Sequence, residues 1–221
     1  MPFFAKFSAD ILPRTTCARV PPSAGSDSSS CYVPSPKGFE YGHWWRTYQS
    51  FGGEATQRNI EILAYPGENL NISKVDFITY QTPGCDTIYS IYGLETPTNQ
   101  TDVKTYRGTG TTASISGPLE IVAHGYDTAC DAYVMYWEPG PTGAFGLTTI
   151  SQSATGPSAK TLSDLLDQVK AFNISDLTKQ ADALAWIPYD GARTSVPYPA
   201  CGEACLTNNN NPDTSGSCPS S

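Results

Sequence analysis

Gly42-His43-Trp44-Trp45-Arg46-Thr47-Tyr48-Gln49-Ser50-Phe51 follows a Pro- and Ser-rich leader and sets the reading of the whole chain. Glycine lets a chain turn tightly and tryptophan seals a core, so Gly42-x-Trp44 marks where leader gives way to packed structure. Upstream, residues 1–38 carry Pro13, Pro21, Pro22, Pro34 and Pro36 and the polar run 23–30. They read as an extended leader pinned by Cys17 and Cys31. Downstream, segments of strand composition fall at 43–51, 57–65, 72–81, 86–94, 102–107, 109–116, 118–126, 130–138 and 143–151. Such short runs separated by turn signals are the spacing of an antiparallel barrel or sandwich.

Alternation gives the faces. In 57–65, Ile60, Ile62 and Ala64 share one face with Arg58 while Glu61 lies on the other; in 72–81, Val75 and Phe77 oppose Lys74 and Asp76. One face is apolar and the other mostly polar. In 130–138 both faces are apolar, Tyr133, Met135 and Trp137 opposing Ala132, Val134 and Tyr136, which predicts cover on the outside as well. The cover is a helix over about 161–171: Ser158 and the Thr161-to-Asp164 spacing start it, and Leu162, Leu165, Leu166 and Val169 form its apolar stripe. Ser175-Asp176-Leu177 starts a shorter helix to about Ala183, and Leu184 to Pro188 is a short last strand. The predicted class is all-β: an eight- to nine-stranded antiparallel barrel over 39–190 with one C-terminal helix packed outside, then a disulfide-tethered tail over 191–221.

At 221 residues one large β-domain is expected. The net charge of −8 and the lack of a Lys/Arg cluster argue against a nucleic-acid partner. No apolar stretch approaches the roughly 20 residues of a membrane span, and Phe3 to Phe7 is too short for a signal-peptide core, so no signal peptide is expected in this chain. Cys17, Cys31, Cys85, Cys130, Cys201, Cys205 and Cys218 read as a disulfide framework with one cysteine left over, either free or paired outside the chain. Zinc is a poor alternative, since only Cys201 and Cys205 have ligand-like spacing, and no metal is expected. Sequons at Asn71, Asn99 and Asn173 join the cysteines in favouring the secretory pathway or the extracellular space. The oligomeric state stays open, a homodimer included.

Gly42-x-Trp44 resembles the Gly-x-Trp signature that starts the first barrel strand of lipocalins. Tyr126-Asp127-Thr128-Ala129-Cys130-Asp131-Ala132-Tyr133 resembles their later Thr-Asp-Tyr-type strand. Thr161 to Leu166, followed by Trp186-Ile187-Pro188-Tyr189-Asp190, resembles the helix and closing strand of apolipoprotein-D-like and bacterial lipocalins, so the resemblance covers roughly residues 38–190. One feature departs from the pattern. Lipocalins usually carry an Arg after the last barrel strand that packs over the Trp, whereas Ile150-Ser151-Gln152-Ser153 has none. Either Gln152 takes that place or Arg46 caps the ring.

The resemblance implies a small hydrophobic or amphiphilic ligand inside the barrel, as in a secreted carrier. In length, leader, cysteine content and aromatic-rich strands the chain also resembles fungal lipocalin-like hetero-Diels–Alderases, which join a tropolone o-quinone methide to a humulene-type sesquiterpene. Such a pericyclase needs a snug apolar chamber and no cofactor. Its candidate catalytic donors here are Arg46, Tyr48 and His124; candidate wall residues are Trp44, Tyr80, Tyr92, Tyr133, Met135 and Trp137. Beside each stands a structural role: Arg46 capping Trp44, His124 a satisfied histidine, the tyrosines as packing. A third class, a structural secreted β-protein, predicts a barrel filled by its own side chains.

Overall fold

A computed structural model describes residues 17–25, 31–51, 57–67, 72–109, 113 and 115–194. Eight strands form the barrel: β1 (Gly42–Gln49), β2 (Arg58–Pro66), β3 (Lys74–Gln81), β4 (Tyr89–Pro97), β5 (Val103–Gly108), β6 (Ser116–Tyr126), β7 (Ala132–Pro139) and β8 (Phe145–Ser151). Each pairs antiparallel with the next, and β1 pairs with both β8 and β2, which closes the sheet. Closure removes the unpaired strand edges that an open sheet would expose. The result agrees with a lipocalin-like barrel. Half of the expected segment 109–116 lies outside the described residues, and of the rest only Ser116 is strand, as the start of β6.

Two helices follow, α1 (Ala159–Ala171) and α2 (Ser175–Asp182). α1 starts as its sequence dictates: the Ser158 hydroxyl accepts the Thr161 amide at 3.2 Å, and Asp127 of the β6–β7 turn accepts the Ser158 amide at 3.1 Å. Asn173, left-handed at φ 55°, turns the chain into α2. Thr161, Leu165 and Val169 of α1 and Leu177 and Ala181 of α2 are the buried faces. They cover Tyr133, Met135 and Trp137 of β7, so every residue of β7 is buried. Burying a side chain such as Leu165 or Leu177 fully contributes about 1.5–3 kcal/mol.

The chain then returns to the barrel. β9 (Ala185–Trp186) pairs with the end of β1, the Ile187 amide donates to the Thr47 carbonyl at 2.8 Å, and the Asn59 amide of β2 donates to the Pro188 carbonyl at 2.9 Å. β1 and β2 pair directly only at Gly42–Trp45, so residues 185–188 bridge the gap where they diverge. Arg58 pins this segment by pairing with Asp190, and also with Asp86 at 2.9 Å.

Residues 17–21 of the leader are packed against the barrel, where the sequence reads as extended rather than packed. Residues 17–21 are buried, with the Arg19 amide donating to Val122 O and its guanidinium to the carbonyls of Ile121, Thr101 and Asp102. Cys17 and Cys31 form a disulfide with each other, so both belong to the expected framework, but the bridge lies within the leader and does not tie it to a barrel cysteine. Cys85 is also disulfide-bonded, Cys130 is free and exposed, and Cys201, Cys205 and Cys218 lie outside the described residues. No helix among the described residues is long and apolar enough to cross a membrane.

Candidate functional site

The barrel interior divides into an aliphatic wall and a charged floor. Ile62, Ala64, Ile78, Leu119 and Ile150 form the wall; Arg46, Lys74, Asp76, Glu95, Tyr106, Tyr136 and Glu138 face the same space. Strand alternation delivers them, Lys74 and Asp76 from β3, Glu95 from β4, Tyr106 from β5, Tyr136 and Glu138 from β7. Gly93, on the Glu95 face of β4, leaves room for the Tyr106 ring, which a Cβ there would strike. On β3 the polar face thus points inward and Val75 and Phe77 outward. That is the reverse of a polar-out barrel.

Five carboxyl and ammonium groups, with the Tyr136 phenol, converge at the Trp44 end. Glu40, in the turn before β1, reaches inside: Lys104 pairs with it, Lys74 Nζ lies 3.3 Å away, and the Tyr136 hydroxyl donates to it at 2.5 Å. Glu95, fully buried, lies 2.7 Å from Lys74 Nζ and 2.8 Å from Lys104 Nζ, outside hydrogen-bonding angles. Asp76 is 3.4 Å from Lys74. Higher up, Arg46 Nη2 meets Glu138 at 3.1 Å, and Thr148 donates to Glu138 at 2.6 Å.

Burial opposes ionisation at both glutamates, with opposite outcomes. At Glu40 the attraction of Lys74 and Lys104 and the hydrogen bonds from Lys104 and Tyr136 outweigh burial, holding its pKa at about 2. At Glu95 burial prevails, because Asp76 and Glu40 repel its charge, and the pKa rises to about 8. Burial also pushes the Tyr106 and Tyr136 phenols up, and the carboxylates hold Lys74 charged against its burial.

These shifts fix a stability profile. Glu40, depressed in the fold, contributes stability that is present above its unfolded value of 4.5 and lost as pH falls towards about 2. Glu95, raised in the fold, contributes stability that is present below 4.5 and lost as pH rises through about 8. The melting temperature will therefore fall by several degrees between about pH 5 and pH 8, and Glu95→Gln will flatten that limb. An unchanged alkaline slope in Glu95→Gln would remove Glu95 as its cause.

The space left between these side chains is about 20 Å³, room for about one water. A solvent-open cleft of about 700 Å³ lies at the other end, lined by Arg58, Asp86 and Asp190, whose charges pair with one another.

The residues singled out in the sequence distribute between interior, plug and outer face. Trp44 is fully buried at the barrel end; its indole donates to Glu40 O at 2.9 Å and Phe39 packs on it with centroids 6.1 Å apart. Phe39, rather than Gln152 or Arg46, therefore covers the ring, since Arg46 is turned to Glu138. A bulge between Arg46 and Tyr48 places Tyr48 opposite Thr149 and beside Gly156, away from the lining that Arg46 joins. His124 is held in the leader, its Nε2 2.9 Å from Val33 O and its ring 5.2 Å from Phe39. Tyr80 stacks on Tyr89 against the interior cluster, whereas Tyr92 stacks on the outward Phe77. Tyr133, Met135 and Trp137 lie beneath the helices; Ala132, Val134 and Tyr136 are the inward residues of that strand. Asn99 and Asn173 are exposed, and Asn71 lies outside the described residues.

Sequence reasoning missed Glu40, Lys74, Glu95, Lys104 and Tyr106. The available signal was the pair Lys74 and Asp76 on one face of a strand whose other face is apolar, a pattern with two possible orientations. No protein-family model matches the chain, and none of the curated proteins matches it.

Proposed function

We propose that the chain is a secreted, lipocalin-like binding protein whose interior accepts a small amphiphilic molecule, the polar end meeting the charged floor and the apolar end the aliphatic wall. The observation that supports it is the floor itself. Replacing buried ion pairs by apolar residues of similar volume is often neutral or stabilising, so a barrel built only for stability gains nothing from five carboxyl and ammonium groups in its core. Clusters of perturbed pKa values concentrate instead where chemistry or recognition takes place. Because the side chains of the floor and wall leave room for about one water among them, a guest at this place requires side chains or the plugging turn to move.

Binding of medium-chain alcohols and acids should raise the melting temperature and alter the tryptophan fluorescence, to which Trp44 contributes. Absence of any shift across the panel would favour the purely structural barrel.

A second reading, the hetero-Diels–Alderase, draws support from phenols and a guanidinium beside an aliphatic wall: Tyr106, Tyr136 and Arg46 next to Ile62, Ile78 and Ile150. Such donors would bind tropolone oxygens while the wall holds the sesquiterpene in an attacking pose. Incubation with a hydroxymethyl tropolone and humulene should give a dihydropyran adduct faster and with more stereocontrol than buffer. Equal rate and stereochemistry would leave the carrier.

A further inference from the structure

Glu40 does not belong to the sheet whose charges it completes. It sits in the turn before β1, between Gly38 and Gly42, both left-handed with φ of 78° and 114°. That conformation strains any residue with a Cβ, so glycine is required at both ends of the short segment Phe39-Glu40-Tyr41. The segment folds inward there. Phe39 packs against Trp44, His124 and Tyr126, with ring centroids 6.1, 5.2 and 5.6 Å away, while the neighbouring carboxylate enters the socket of Lys74, Lys104 and Tyr136. All three socket residues come from barrel strands, the carboxylate from outside them.

Without Glu40 the socket offers two ammonium groups and the Tyr136 hydroxyl to one point, with the Glu95 carboxyl 2.7 and 2.8 Å from the ammonium groups, Asp76 3.4 Å from Lys74, and Ile62 and Leu119 of the wall nearby. Phe39-Glu40 thus presents an apolar ring and a carboxylate to the barrel together. We infer that Phe39-Glu40 is a resident surrogate for the barrel's ligand, that the ligand is an organic carboxylate with an apolar or aromatic body, and that it enters the socket when the turn swings out about Gly38 and Gly42.

This rests on the amphiphile-binding reading and narrows it to an anion. It also explains how a crowded interior admits a guest: the carboxylate of the guest replaces that of Glu40 on Lys74, Lys104 and Tyr136, so the charge balance with Glu95 and Asp76 is kept. Such an exchange needs no net burial of charge.

The test uses hydrocinnamate and its neutral analogue hydrocinnamyl alcohol, titrated into the full chain by calorimetry. In Glu40→Ala the acid will bind about tenfold tighter than in the wild type, since the charge-assisted contacts no longer have an internal competitor. The alcohol will change little. Glu40→Gln keeps the shape of the turn and serves where the alanine variant does not fold; it should show the same gain for the acid. Adding Lys104→Met to Glu40→Gln should abolish that gain, which a merely loosened turn would leave in place. If alcohol and acid bind equally, or the acid gains nothing on loss of Glu40, the surrogate is refuted while amphiphile binding stands. If neither compound binds wild type or variant, both readings fall together.

Discussion

Replacing Lys74 by methionine will lower the melting temperature at neutral pH by about 10 °C. The ammonium is 3% exposed by side chain and lies within 3.4 Å of three carboxyl groups, Glu40, Asp76 and Glu95, of which Glu95, raised to about 8, is mostly the neutral acid at this pH. Deleting it leaves Lys104 alone to balance them. Removing one partner of a buried ion pair costs about 3–5 kcal/mol, because the remaining charge has lost its compensation, and each kcal/mol shifts a domain of this size by about 2–4 °C. The loss should shrink in acid, where the orphaned carboxylates take up protons. Lys104→Met should cost less, since its side chain is 19% exposed and water can replace part of its role. A Lys74→Met protein that melts at or above the wild-type temperature would mean that the floor is not held together by this cation.

Trp44→Ala will be comparably damaging, by about 3–5 kcal/mol, because the side chain is the largest fully buried one and its removal leaves a cavity that strands cannot collapse into. The loss is not only of volume. The indole supports Phe39 and donates to Glu40 O, so the plugging turn loses both its apolar seat and its backbone anchor. Trp45→Ala is the control, as Trp45 is half-buried on the outer face against Tyr189 at 4.5 Å and His43 at 5.3 Å. Its melting temperature should fall less than half as far. Equal losses would deny Trp44 its place as the floor of the barrel.

The strand series, the Ser158-started helix and the closing segment after Leu184 were legible because local chemistry specifies them: turn residues, alternation and a capping hydroxyl. Their faces were less so. Lys74 and Asp76 would be assigned to solvent by polarity alone, and only the arrival of Glu40 and Lys104, distant in sequence, makes the inward orientation tolerable. Tyr48 shares parity with Arg46, yet a one-residue bulge moves it to the other surface; register irregularities of this kind leave no mark in composition. Tyr133, Met135 and Trp137 were recognisable as one face of a doubly covered strand, but nothing in the strand itself says which of its two apolar faces meets the helices. Glu40 escaped notice because a lone carboxylate in a Pro- and Gly-bounded turn reads as solvated.

The bridge of residues 185–188 across the gap between β1 and β2 sets the order of assembly. β1 waits for β8, about a hundred residues later, and the seam beside it is not sealed until Ile187 and Pro188 are in place. A chain emerging vectorially must therefore carry an incomplete sheet, with strand edges exposed, until residues 185–188 have been made. Long-range closure of this kind is slow and open to mispairing, so the last-made turn of the barrel governs how quickly the newborn chain escapes aggregation.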